Sequence, residues 1–260
     1  VRPTPNKTSP IVNLVRSNPL NEGRLYDAAS GGNMMRQETK RLATITVLLG
    51  FFVIMLDTTI VNVSLAHIGK DLHGTTASLQ WVVDAYTLSF AALLLSAGTA
   101  CDRLGSQRIY LFGLILFALF SIACALSPSM EILISARVLQ GVGAAMVVPS
   151  SLALISEMYS DHKERAKIIG LWGAAGGIAA ALGPIIGGAL VSTTGWRAAF
   201  WVNIPIIGVL AILTISFIPR WVPQASNSFD VLGQITSIIS LSLLTYLVIT
   251  WGEHGWNTAQ

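Results

Sequence analysis

Three ionisable side chains, Asp57, Asp84 and Arg137, interrupt runs that are otherwise almost wholly apolar. A charge inside hydrocarbon costs several kcal/mol, so residues of this kind face a cavity, pair with one another, or line a route for protons or substrate. Asp57 lies about nine residues before its run ends, Asp84 about one turn into the next run, and Arg137 nearly two turns into the fourth. At a rise of about 1.5 Å per residue, all three fall in the outer half of a bilayer and can meet. One reading is a structural ion pair in which Asp57 or Asp84 neutralises Arg137. Two acids to one base favour the other reading, in which the surplus carboxylate trades a proton for a cation. Glu131 and Glu157 sit at the ends of runs and read as solvated boundary residues.

Glycine carries a second signal. The run containing Gly170, Gly173, Gly176, Gly177, Gly183, Gly187 and Gly188 also holds Pro184. Such a helix lets a neighbour approach backbone to backbone, and the proline removes a donor and kinks it. Close packing explains this pattern, and so does a hinge between two rocking bundles. Cys101 and Cys124 are too far apart in sequence and span to bridge and read as buried thiols, and no cysteine or histidine cluster offers a metal site.

The elements that must position these residues follow from composition. The 260 residues are 53% hydrophobic and 11% charged, with a mean hydropathy of +0.64. Soluble domains carry about a quarter charged residues, so the lipid bilayer is the solvent here, and a disordered chain or a nucleic-acid binder is excluded. Runs of about 20 apolar residues predict seven membrane spans, over 43–66, 81–100, 109–127, 131–155, 167–191, 199–218 and 231–251. Residues 1–40, with Pro3, Pro5, Pro10 and Pro19, read as a polar, disordered cytoplasmic tail. Met34 and Met35 stand just before the basic stretch Arg36, Lys40 and Arg41, which raises a start near Met35 as an expectation. With the N-terminus inside, those three residues, Arg103, Arg108, Lys163, Arg165, Lys167 and Arg220 face the cytoplasm, against Lys70 and Arg197 outside. That bias predicts a cytoplasmic N-terminus in the cell membrane.

Several stretches then resemble one family. Gly98, Asp102, Arg103, Gly105 and Arg108 fit the pattern G-x-x-x-D-R-x-G-R-K/R-K/R between spans 2 and 3 of the major facilitator superfamily, with Ser106 and Gln107 at two positions usually basic. Arg137, Gln140, Gly141 and Gly143 resemble its span-4 motif R-x-x-Q-G-x-G. Gly170, Gly183, Pro184, Gly187 and Gly188 resemble its span-5 antiporter motif, with Ala179 where a glycine is usual. The stretches 56–62 and 80–86 are similar to the fourteen-span drug:proton antiporters, in which an acid at the position of Asp84 accompanies export of quaternary ammonium compounds and methyl viologen. Trp196, Arg197 and the run 200–205 fit the entry into span 6.

The resemblance implies an all-α integral membrane protein: a six-helix N-terminal transporter bundle over 41–218, then a linker and seventh helix over 219–260. It implies a cytoplasmic gate at 98–108, a role for Arg137 in proton coupling, and export rather than uptake. The function it points to is proton-coupled antiport of hydrophobic, cationic drugs, with Asp57, Asp84 and Arg137 as the site. No cofactor or metal is needed, because the proton gradient drives the cycle. The partners are the bilayer, a small-molecule cargo, protons and a missing C-terminal half. Seven spans are half of fourteen, so a truncated or split chain is expected. The alternatives are export of one endogenous metabolite, a non-transporting membrane fragment, an uptake symporter, and an intramembrane aspartyl enzyme using Asp57 and Asp84 as a dyad.

Overall fold

The computed structural model describes residues 19–219, with side chains from 37 onward, and scattered positions between 233 and 247. Seven helices follow in order: α1 (Pro19–Asp71), α2 (Thr76–Leu104), α3 (Ser106–Ala125), α4 (Met130–Met158), α5 (His162–Thr194), α6 (Ala198–Trp201) and α7 (Asn203–Phe217). Six stretches of described helix are long and apolar enough to cross a membrane, the sixth combining α6 and α7 over Ala198–Phe217. The fold is all-helical, as expected, and the protein is an integral membrane protein. The span expected over 231–251 and the linker before it fall outside the described residues, apart from those scattered positions.

The helices overrun most of the apolar runs that mark them, since a helix continues into the interface where its terminal groups meet water. The chain divides into two compact units, the first 42 residues and the bundle from Ala43 onward. In the first unit, residues 19–40 are helical where a disordered tail is expected; residues 1–18 lie outside the described ones.

Local chemistry sets the helix ends of the bundle. The Thr75 hydroxyl accepts from the Ser78 amide at 3.2 Å and starts α2, and Asp161 caps α5 through the amides of Lys163 and Glu164. Gly105, at φ 90°, breaks the chain between α2 and α3 and returns its amide to Cys101 O at 2.9 Å. The sixth span is broken at Val202, which separates α6 from α7.

Glycines decide which helices approach closely. A methyl group at Gly141 would stand 2.5 Å from the Tyr86 carbonyl, so this residue admits α2 against α4. One at Gly143 would stand 2.7 Å from Phe117 N on α3. Gly176, Gly183 and Gly187 face Phe51, Thr59 and Ile60 of α1, and Phe51 stacks on Trp172 at 3.7 Å. The main core joins Val47, Ile54, Tyr86, Tyr110, Phe117, Val147 and Ile207. In the most apolar window of each span, 61% of residues are buried in α1 and in α4, but only 28% in α2 and 22% in α5. Residues of α5 are mostly exposed, whereas those of α2 are mostly half-buried.

Candidate functional site

Where α1, α3, α4 and α7 converge, polar side chains fill the middle of the bundle. Asp57 is wholly buried, and Arg137 Nη1 donates to its Oδ2 at 2.8 Å. The other carboxylate oxygen accepts from Asn203 Nδ2 at 2.6 Å and Gln140 Nε2 at 3.2 Å. Arg137 also donates through Nε to the Val82 carbonyl at 3.1 Å and through Nη1 to Gln140 Oε1 at 2.8 Å. Its guanidinium lies 4.0 Å from the Tyr86 ring centroid. Ser121 closes the network: its hydroxyl accepts from Asn203 Nδ2 at 2.9 Å and Gln140 Nε2 at 3.4 Å, and donates to Phe200 O at 3.1 Å. Both charges are thus paired and hydrogen-bonded, the condition under which buried ions are tolerated.

Asp84 stands apart from this network. Its side chain is half-buried on α2, with Gln80 one turn earlier as its hydrogen-bond partner. It joins neither of the two ion pairs among the described residues, which are Arg137–Asp57 and Arg197–Asp71. Of the three charges expected to meet, two do so. The reason lies in helix geometry: Val82, Ala85 and Tyr86 form the buried stripe of α2, and Asp84 is about 200° around the helix from Val82. Asp57 shares no proton with a second carboxylate, because its oxygens are taken up by Arg137, Gln140 and Asn203. The aspartyl dyad is therefore not formed.

Around Gly105, Asp102, Arg103 and Arg108 are exposed, while Gly105, Ser106 and Gln107 are buried. The two residues at usually basic positions turn inward. Gln107 Nε2 donates to the carbonyls of Thr214 and Ile218 at 3.2 and 2.8 Å, fastening α3 to the end of α7. Ser106 Oγ donates to Glu157 Oε1 at 2.7 Å, fastening it to α4. Glu157 is not the solvated boundary residue its place in the sequence suggests; its Oε2 is enclosed without a partner. Glu131 is exposed, as expected.

The antiporter-like glycines divide between two faces of α5. Gly183 and Gly187 are buried against α1, whereas Gly170 and Gly188 have no neighbour within 4 Å of an added methyl, nor do Gly173 and Gly177. Gly98 on α2 is open in the same sense. At the other end, Arg197 and Trp196 both bond Asp71, at 2.5 and 2.9 Å, beside a pocket of about 410 Å³ that His67 and Lys70 also line.

Sequence reasoning missed Asn203 and Ser121 as members of the central network. An asparagine at the start of an apolar helix was the available signal for the first; a serine among alanines and isoleucines gives none.

Comparison with known proteins agrees with this architecture. The sequence profile of the Major Facilitator Superfamily matches residues 47–256. The chain is 41% identical over 214 residues to the "Methylenomycin A resistance protein" of Bacillus subtilis, covering 82% of this chain and 46% of that protein. It is 41% identical over 222 residues to the "Multidrug resistance protein Stp" of Mycobacterium tuberculosis, covering 85% and 41%, and 37% identical over 210 residues to the "Drug efflux pump JefA" of the same species, covering 81% and 41%. The chain therefore spans less than half the length of these relatives. Its fold is similar to that of a crystallised "peptide transporter POT in complex with sulfate", with a TM-score of 0.63 at 14% identity over 84% of this chain and 47% of that one.

Proposed function

Since the chain belongs to the Major Facilitator Superfamily, we propose that it forms the N-terminal half of a membrane exporter of drugs, driven by protons and completed by a second half. The relatives named for drug resistance and drug efflux support export rather than an enzymatic activity. The single observation that carries the finer reading is the unequal treatment of two acids. Asp57 is neutralised inside the bundle by Arg137, while Asp84 stays half-buried, outside the buried stripe of α2. An acid so placed can meet a positively charged cargo or a proton, but not both at once, and that exclusion is the elementary step of antiport.

In this reading Asp57 and Arg137 act indirectly, by fixing through the Arg137 to Val82 bond the rotation of α2 that leaves Asp84 outside the buried stripe. The open glycines of α5 and Gly98 of α2 supply surfaces on which the second half can slide. The excess of Lys and Arg in the loops supports a cytoplasmic N-terminus and a chain in the cell membrane. The fourteen-span, quaternary ammonium type of antiporter is part of the same proposal, resting on the stretches 56–62 and 80–86.

The test is transport by inside-out vesicles carrying this chain with its second half, comparing Asp84→Asn with the parent on monovalent, divalent and neutral cargo. Loss of divalent-cation transport, with neutral cargo still moved, is the expected outcome. Equal transport of all three removes Asp84 from cargo recognition. A protein that moves one neutral compound alone favours the second reading, export of a single substance, for which the methylenomycin relative is the supporting observation.

A further inference from the structure

Two acids of the bundle, Asp57 wholly buried and Glu157 half-buried, are treated in opposite ways. Asp57 receives three donors, one of them a guanidinium. Glu157, about 30 Å from Arg137 along α4 by helical rise, receives a single hydroxyl, from Ser106, on one oxygen. Its other oxygen is enclosed and without a partner. Enclosing one oxygen of an ionised carboxylate without a donor is more costly than enclosing the same oxygen of a neutral acid. The titratable groups facing Glu157 supply no compensation: Asp102 at the end of α2 carries the same sign, and the Cys101 thiol is buried beside it. Neither ion pair among the described residues includes it.

We infer that Glu157 binds a proton, making the junction of α2, α3 and α4 a second proton site at the end of the bundle remote from Asp84. A serine at position 106 brings no cation, so the acid is neutral at rest, bridged to α3 by its bond with Ser106. Release of the proton puts a second negative charge next to Asp102, directly behind the turn at Gly105, and loosens that junction. The inference stands on the geometry of Glu157 and not on the cargo or direction of transport.

Infrared spectroscopy of the purified chain in lipid near neutral pH tests it by the carbonyl band of un-ionised carboxyl groups. The expected result is loss of one such band in Glu157→Gln, a shift of that band in Ser106→Ala, where its hydrogen bond is gone, and no change to it in Asp84→Asn. Un-ionised carboxyl bands of full intensity in Glu157→Gln overturn the inference. Should that variant fail to fold, a band that does not move in Ser106→Ala overturns it instead.

Discussion

Asn203 at the start of α7 lies 2.6 Å from the carboxylate of Asp57, tying the sixth span to the first across 146 residues of sequence. The asparagine also reaches Ser121 on α3, so a single amide holds three helices to one carboxylate. Hydrogen bonds to a charged group are worth about 1.5–3 kcal/mol. Asn203→Leu, which keeps the branched shape in a bulkier side chain and removes the donor, is expected to lower stability by at least that amount, measured as the midpoint of thermal unfolding in detergent. An unchanged midpoint means that the amide bond adds nothing.

The ion pair itself gives a sharper expectation. Removing one partner of a buried pair strands the other, at about 3–5 kcal/mol, whereas replacing both by uncharged groups of similar size is close to neutral. Arg137→Met is therefore expected to be severely destabilised, and addition of Asp57→Asn to recover a large part of the loss. A double variant no better than the worse single one would show that the pair is not a unit.

Much of this bundle can be read before any coordinates. The cost of charge in hydrocarbon singles out Asp57, Asp84 and Arg137 without choosing which acid pairs with the arginine, and apolar run length predicts seven spans, six of which lie among the described residues. What sequence leaves hidden is direction around each helix. A single residue separates Val82 from Asp84, yet one lies in the buried stripe and the other does not. Uncharged polar residues are equally silent: Ser106 and Gln107 look like diluted charge in an exposed loop, and only packing shows them fastened to Glu157 and to the end of α7. The break at Val202 inside the sixth span has only a local signal, Asn203 and then Pro205, whose missing N–H interrupts the helical bonding, within an otherwise apolar run.

Gln107 leads to a local prediction. Its amide meets two carbonyls at the end of α7, that of Thr214, which also accepts from the Ile218 amide at 3.2 Å, and that of Ile218 beyond the helix. Gln107→Leu is expected to cost about 1–3 kcal/mol by removing a buried donor from the Ile218 carbonyl, and to speed amide hydrogen exchange in the last turn of α7 more than elsewhere in the bundle. Uniform exchange across all helices argues against a local fastening.

The two glycine faces of α5 separate packing from transport. An added methyl at Gly183 runs into the Thr59 side chain, so Gly183→Ala overpacks the α1 contact and is expected to cost about 1–3 kcal/mol. At Gly170 and Gly177 the same methyl meets nothing, and alanine there is expected to leave stability equal or higher by up to about 1 kcal/mol. Thermal unfolding of the three variants checks the order. If the outward glycines serve contact with a second half, Gly177→Ala lowers transport without lowering stability.

The division between Asp84 and Val82 is open to direct chemical test. Both native cysteines are buried, so charged thiol reagents meet little background in the parent chain. A cysteine at position 84 replaces a half-buried side chain, whereas one at position 82 replaces a side chain with no exposure. Only a thiol that water reaches ionises and reacts with such reagents. Asp84→Cys in lipid is thus expected to be labelled many times faster than Val82→Cys, two residues away on the same helix. Positively charged cargo added beforehand should slow the labelling if position 84 lies on its path, an effect steric crowding by a neutral compound of equal size would match only if charge played no part. Labelling of Val82→Cys at the same rate as Asp84→Cys would mean that α2 is turned differently in the bilayer, and the assignment of Asp84 to the open side would fall with it.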